Sequence, residues 1–256
     1  MSALRRVGGW TAGCVLAVTC GTGLIRDPLR TDLSSVLLAP SPAHPLGTDD
    51  LGRDVLARLA HGAVSTLATA GVALVVSALL GVLIGIATGW SAGRAALLVR
   101  SLVDVAVAVP PLIVALVTVL VAGPSTAALL LALIAVGWLP FARQADALVA
   151  ELRTRNWVLA HRALGAGRVR IWRGSMLPFL APATGALAGV RLPAMVNTVA
   201  ALGFLGLGPP PPNPEWGAMI AESVEHLSTA PWLLLSPVVA LVCVQVLVAA
   251  WGPQKS

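Results

Sequence analysis

Apolar residues run along this chain in long blocks rather than in alternation. Six blocks, residues 7–25, 63–88, 102–122, 126–141, 177–202 and 231–251, are separated by polar or proline-rich stretches. About 20 predominantly apolar residues cross a bilayer as a helix. Each block therefore predicts a transmembrane helix, and together they predict an all-α polytopic membrane protein with six spans. Two blocks are irregular: Pro110 and Pro111 interrupt the third, and the fourth is short, so residues from Ala142 onward are expected to extend it. Prolines 28, 40, 42 and 45 break the stretch 26–61, while prolines 209–212 and Pro214 predict an irregular connection over 203–230.

Composition supports this picture. The 256 residues are 57% hydrophobic and 11% charged, whereas a soluble domain carries about 25% charged residues. The net charge of +6 does not point to nucleic acid, because the cations lie in loops between apolar blocks with little aromatic interleaving for base stacking. It does orient the spans. With both termini inside, twelve of the seventeen cations face the cytoplasm and four face out, while eight of the eleven acids face out. Loop cations are retained on the cytoplasmic side. Arg5 and Arg6 precede the first block and no clean small-residue cleavage site follows it, which predicts an uncleaved span. The chain then divides into residues 1–62, a span plus an extracytoplasmic segment, and 63–256, a five-helix core carrying a cytoplasmic loop, 142–178.

That loop is the most polar part of the core. It holds arginines 143, 153, 155, 162, 168, 170 and 173 against Asp146 and Glu151. Leu148, Leu152, Trp157, Ala160 and Leu164 recur at helical spacing, predicting two short amphipathic helices hinged at Gly165 and Gly167. Such a helix suits a groove on a partner protein or a surface of anionic lipid, and the pattern alone does not choose between them.

Other residues carry chemistry singly. Gly47, Thr48, Asp49, Gly52, Arg53 and Asp54 precede a helix; Asp and Thr cap free N–H groups there, and Asp54 and Arg58 have the spacing of an i,i+4 pair. The spacing is wrong for a calcium loop. Asp104 lies about one turn inside the third span and is expected to reach the interface. Arg191 lies roughly 20 Å into the fifth span, where a charge costs at least ~2.5 kcal/mol and faces a cavity or a partner. It is read either as lining a path with Pro110 and Pro111, attracting a carboxylate, or as a structural pair with an acid on another subunit. Cys14, Cys20 and Cys243 show no metal-ligand spacing and read as buried thiols. His61 and His161 have no Ser or Asp partner at useful spacing, which argues against an intramembrane enzyme. No Gly-x-x-x-x-Gly-Lys-Ser/Thr phosphate loop occurs, and no internal repeat suggests a secondary carrier.

Five segments, in order, carry a family resemblance. HPLGTDDLGRDVLARLAHGA (44–63), VDVAVAVPPLIVAL (103–116), Ala163-Leu164-Gly165-Ala166 followed by Leu177-Pro178, FLGLGPPPPNPEWGAMIAE (204–222) and APWLLLSP (230–237) resemble the dipeptide/oligopeptide/nickel permeases of ABC importers, in particular the C-type subunit of the permease pair. The resemblance implies a type I importer-like permease fold in the cell membrane. It also implies a second permease as heterodimer partner, cytosolic ATPase subunits that bind ATP-Mg, and an extracytoplasmic solute-binding protein. This chain itself would bind no cofactor and no metal. Leu159, Ala160, His161, Ala163, Leu164, Gly165, Leu177 and Pro178 would form the ATPase-coupling element, and residues 204–216 either a re-entrant outer element or a rigid linker. The 47–54 segment would be an outer structural motif near the partner permease or binding protein. The family's Glu-Ala-Ala stands here as Leu159-Ala160-His161. The substrate, whether peptide, nickel or another small solute, is not written in these segments, and an ATPase-independent channel is the reading they displace.

Overall fold

The computed structural model describes residue 13 and residues 21–91 and 93–251; the first predicted span, with Cys14 and Cys20, lies for the most part outside them. Among the described residues from Val55 onward the α-helices are α1 Val55–Trp90, α2 Arg94–Ala108, α3 Pro111–Ala122, α4 Thr126–Gly137, α5 Leu139–Leu152, α6 Asn156–Ala163, α7 Arg168–Ile171, α8 Leu177–Phe204, α9 Trp216–Ser223 and α10 Trp232–Trp251. Among the described residues, four stretches are long and apolar enough to cross a membrane: α1, α4 with α5, α8, and Trp232–Ala250. A fifth arises if α2 and α3 count as one span. These two helices meet at 91°.

Local chemistry explains each departure from the hydropathy blocks. α1 starts at Val55, ahead of residue 63, because the Asp54 side chain accepts the Ala57 N–H at 2.9 Å and caps it. Its first two turns carry Arg58 and His61 and so do not read as apolar. The division at 62/63 falls inside this helix. At the α2–α3 bend, residues preceding a proline are driven out of the helical region; Val109 and Pro110 adopt ψ of 130° and 122°. Pro111 then opens α3 at the one position where a missing N–H costs nothing. α4 and α5 join through Trp138, itself helical, so the fourth span continues to Leu152 and absorbs the first part of the arginine-rich segment. The far end of that segment is also helical. Pro178 cannot donate to the carbonyl four residues back, and the chain forms a π turn over Trp172–Met176, with Leu177 N–H on the Trp172 carbonyl. Only residues 153–167 therefore stand apart as a connection.

Packing follows small residues. Ser77, Gly81, Gly85 and Gly89 recur every four positions on α1 and run parallel to α5. A Cβ on Gly81 would sit 2.3 Å from the Trp138 carbonyl, on Gly85 2.4 Å from that of Ala142, and on Gly89 2.7 Å from that of Asp146. Small side chains let two spanning helices approach closely enough for dispersion to hold them without a hydrophobic driving force. One apolar core, around Leu129, Leu133, Val196 and Leu202, lies between α1, α4 and α8. A second, around Val149, Val158, Ile171 and Leu180, closes the arginine-rich end.

Candidate functional site

At the acid-rich end the 47–54 segment folds back on itself. Gly47 and Gly52 take φ of 77° and 71°, and a Cβ on Gly52 would stand 1.8 Å from the Asp32 carbonyl; only glycine serves here. The Asp49 carboxylate is the centre. It accepts the Leu51 and Arg53 N–H groups at 2.9 and 2.8 Å, Arg53 Nε at 2.7 Å and an Arg58 Nη at 2.5 Å. Arg58 reaches on to Glu222 at 2.7 Å. The pair expected between Asp54 and Arg58 does not form, because α1 points Arg58 toward Asp49 and Glu222 while Asp54 turns back. Asp54 accepts Arg26 at 2.5 Å and contacts His44 Nδ1 at 2.9 Å. Burial pushes the Asp54 carboxyl up, but the Ala57 N–H, His44 and Arg26 outweigh it and hold it below the usual carboxylate range.

The stretch 203–230, expected to be irregular, instead places helix α9 in the core. Glu215 caps it, accepting the Ala218 N–H at 3.0 Å and the Thr66 hydroxyl at 3.0 Å. The Trp216 indole donates to the Leu59 carbonyl at 3.0 Å, and both side chains are fully buried. Gly203 and Gly217 make room: a Cβ on Gly217 would lie 2.0 Å from the Ala200 carbonyl. In sequence Glu215 stands only within the 204–222 segment, with no role of its own. The signal that identifies it is its position, an acidic cap directly before Trp-Gly-Ala.

Midway along α8, Arg191 and Pro111 line one cavity of about 200 Å³, with Gly137, Pro140, Met195 and Thr198. Pro110, the third residue assigned to this path, is the N-cap of α3 beside it. Arg191 is half-buried and makes no hydrogen bond or ion pair among the described residues. Asp104 does not simply reach the interface. It pairs with Arg143 of α5 at 3.1 Å, and one helical turn away Arg100 pairs with Asp146 at 2.9 Å and donates to the Thr88 carbonyl at 2.8 Å. These two bridges fix the start of the bent pair to α1 and α5.

At the arginine-rich end α6 is anchored through Trp157 and Val158. Val158 is fully buried, and Trp157 stacks on Phe179 at 6.0 Å and meets His161 edge-on. Ala160, His161 and Ala163 are exposed, and Leu164 is 86% exposed. Leu177 and Pro178 lie at the start of α8, also exposed. Gly165 has φ of 76° with open space around it, so backbone handedness rather than crowding requires glycine there. The Ala166 N–H bonds the His161 carbonyl at 2.9 Å, closing α6 in a Schellman motif. Among the described residues no cluster of His, Cys, Asp or Glu is arranged to hold a metal; Cys243 is a free, half-buried thiol.

Residues 81–252 match the family described as binding-protein-dependent transport system inner membrane component. The chain is 36% identical over 192 residues to the di/tripeptide transport system permease protein DppC of Pseudomonas aeruginosa (strain UCBPP-PA14), an alignment covering 75% of this chain and 63% of that protein. It is 34% identical over 227 residues to the nickel transport system permease protein NikC of Escherichia coli (strain K12), covering 89% and 82%. To the peptide transport system permease protein SapC of Escherichia coli O6:H1 it is 33% identical over 254 residues, covering 94% and 84%.

Proposed function

The chain belongs to the family of inner-membrane components of binding-protein-dependent transport systems, and from that premise we propose that it is a transmembrane subunit of an ATP-driven importer of peptides. It has six spans with both termini in the cytoplasm, in a type I importer-like fold, and pairs with a second, different permease. Cytosolic ATPase subunits hydrolyse ATP, and an extracytoplasmic binding protein delivers the solute. Solute crosses by alternating access past the cavity that Arg191 and Pro111 line. The observation that carries this reading is α6. It is a short helix held by Val158, with Ala160, His161, Ala163 and the adjoining Leu164 exposed among the described residues. A surface of this kind suits a groove on a partner protein, and the ATPase occupies that position.

Leu159 stands where the family carries glutamate, so the groove on the ATPase partner is apolar at that point. Reconstitution of the complex in proteoliposomes tests both statements. ATP-dependent dipeptide uptake is expected with the unsubstituted chain, and Leu159→Glu is expected to lower the coupling of ATP hydrolysis to uptake; unchanged coupling would remove the basis for an apolar groove. The similarity to a nickel permease over 89% of this chain supports a second reading, import of nickel by the same mechanism. Uptake of radiolabelled nickel and of dipeptide by one preparation separates the two.

A further inference from the structure

Arg191 is a permanent positive charge in the middle of a spanning helix, about 21 Å from Leu177 by the rise of α8. Intramembrane charges face cavities or partners. This one has no hydrogen-bond or ion-pair partner among the described residues, and it faces a cavity. The walls are otherwise apolar or hydroxylic, with Val107, Leu133, Met195 and Thr198 among them, and no Asp or Glu lines the space. The nearest carboxylates on the bent pair and α5 are engaged elsewhere: Asp104 with Arg143 and Asp146 with Arg100. An uncompensated guanidinium against low-dielectric walls binds an anion more strongly than the same group in water, and its planar fork matches a carboxylate.

We propose that Arg191, with the cavity between Pro111 and α8, is an anion subsite on the translocation path that binds the carboxylate of the transported solute. This rests on the importer reading above and names the chemical class of its cargo. The cavity, about 200 Å³, is smaller than the roughly 300–1,000 Å³ of ordinary ligand pockets. It therefore holds one end of the solute, the carboxylate and the group next to it. Val109 and Pro111, on either side of the bend, line the same cavity, so a change in the 91° angle changes its width. A carboxylate of this kind is supplied by a peptide C-terminus or by an organic chelator of a metal ion.

The test uses the full complex in nanodiscs, with Cys14, Cys20 and Cys243 replaced by serine and Ala194→Cys placed on the cavity wall. Labelling by a small maleimide is timed in the presence of butyrate or butyramide, equal in size and differing in charge. Butyrate is expected to protect at about tenfold lower concentration, the difference expected for a charge-assisted hydrogen bond. Arg191→Gln is expected to abolish the difference and Arg191→Lys to retain part of it. Alanyl-alanine against its C-terminal amide, and nickel with histidine against nickel alone, identify which source supplies the carboxylate. Equal protection by acid and amide overturns the subsite, as does protection unchanged in Arg191→Gln, protection by neither solute source, or no labelling at all. Loss of the second permease from both Arg191 variants on co-purification also overturns it, in favour of a structural pair. ATP-dependent dipeptide and nickel uptake are followed in parallel: absence of both defeats the importer reading, whereas uptake with charge-blind labelling defeats the subsite alone.

Discussion

At the acid-rich end, the Asp49 carboxylate meets two guanidinium groups within 2.7 Å and is 3% exposed. At the arginine-rich end, seven arginines share few acids, and Leu164 stands 86% exposed on the tip of a two-turn helix. The first region satisfies its charges internally, through residues far apart in the chain: Asp49, Arg58 and Glu222. Among the described residues the second pairs Arg143 with Asp104 and Arg155 with Glu151 and leaves its apolar tip, Leu164, bare. The two regions differ in what supplies the complementary groups. A region that closes its own network acts as a rigid body; one that leaves a helix face bare acts as a contact. The cavity that Arg191 of α8 shares with Pro111 of the bent α2–α3 pair belongs to neither region.

The contrast predicts graded effects. Asp49→Asn should give the largest, because it leaves two buried guanidinium groups short of their anion. Breaking one side of such a buried pair costs about 3–5 kcal/mol, seen as a lower midpoint in thermal unfolding of the purified chain. A midpoint unchanged from the parent would show that the acid-rich end is not a closed network. Glu215→Ala should follow at about 1–3 kcal/mol, since the Thr66 hydroxyl and Ala218 N–H lose a buried acceptor. Loss of protease resistance confined to 204–226 is the signature that α9 has left the core.

A third effect depends on pH. The folded state favours ionised Asp54, so its stabilisation is complete above the ordinary value of 3.8 and disappears as pH falls through the lower folded value. Asp54→Asn, which keeps a helix-capping side chain, should remove that acid-side loss; titration curves of unfolding midpoint against pH that superimpose for parent and variant would refute it. The smallest stability effect belongs to Leu164→Ser, within about 0.5 kcal/mol because no described residue covers the side chain. Its coupling of ATP hydrolysis to uptake should nevertheless fall severalfold. A destabilised chain with intact coupling would reverse the comparison between the two ends.

Much of this was legible in the residues. The broken third span followed from Pro110 and Pro111, the extension of the fourth from its short apolar block, and the hinge from Gly165. The partners of the charges were not. Local spacing pairs Asp54 with Arg58, and the real partners, His44 and Arg26 for one and Asp49 and Glu222 for the other, come from segments folded together from a distance. Glu215 was missed for a related reason: prolines 209–212 announce a disordered-looking stretch and give no hint that the next helix enters the core. The four-residue spacing of Ser77, Gly81, Gly85 and Gly89 was readable in principle, but it names a helix face without naming what packs there.

By itself the sequence determined that the chain is helical, where most of its helices lie, and which loops are acidic and which basic. Those properties follow from nearest-neighbour physics: apolar run length, proline geometry, glycine handedness and capping. Only the tertiary structure decided that α1 and α5 run parallel in close contact, that α9 is buried, that Asp49 clamps two arginines, and that Arg191 meets a cavity with no acid in its wall. Each of these depends on a pairing between residues tens of positions apart, and no local preference encodes which distant group will arrive.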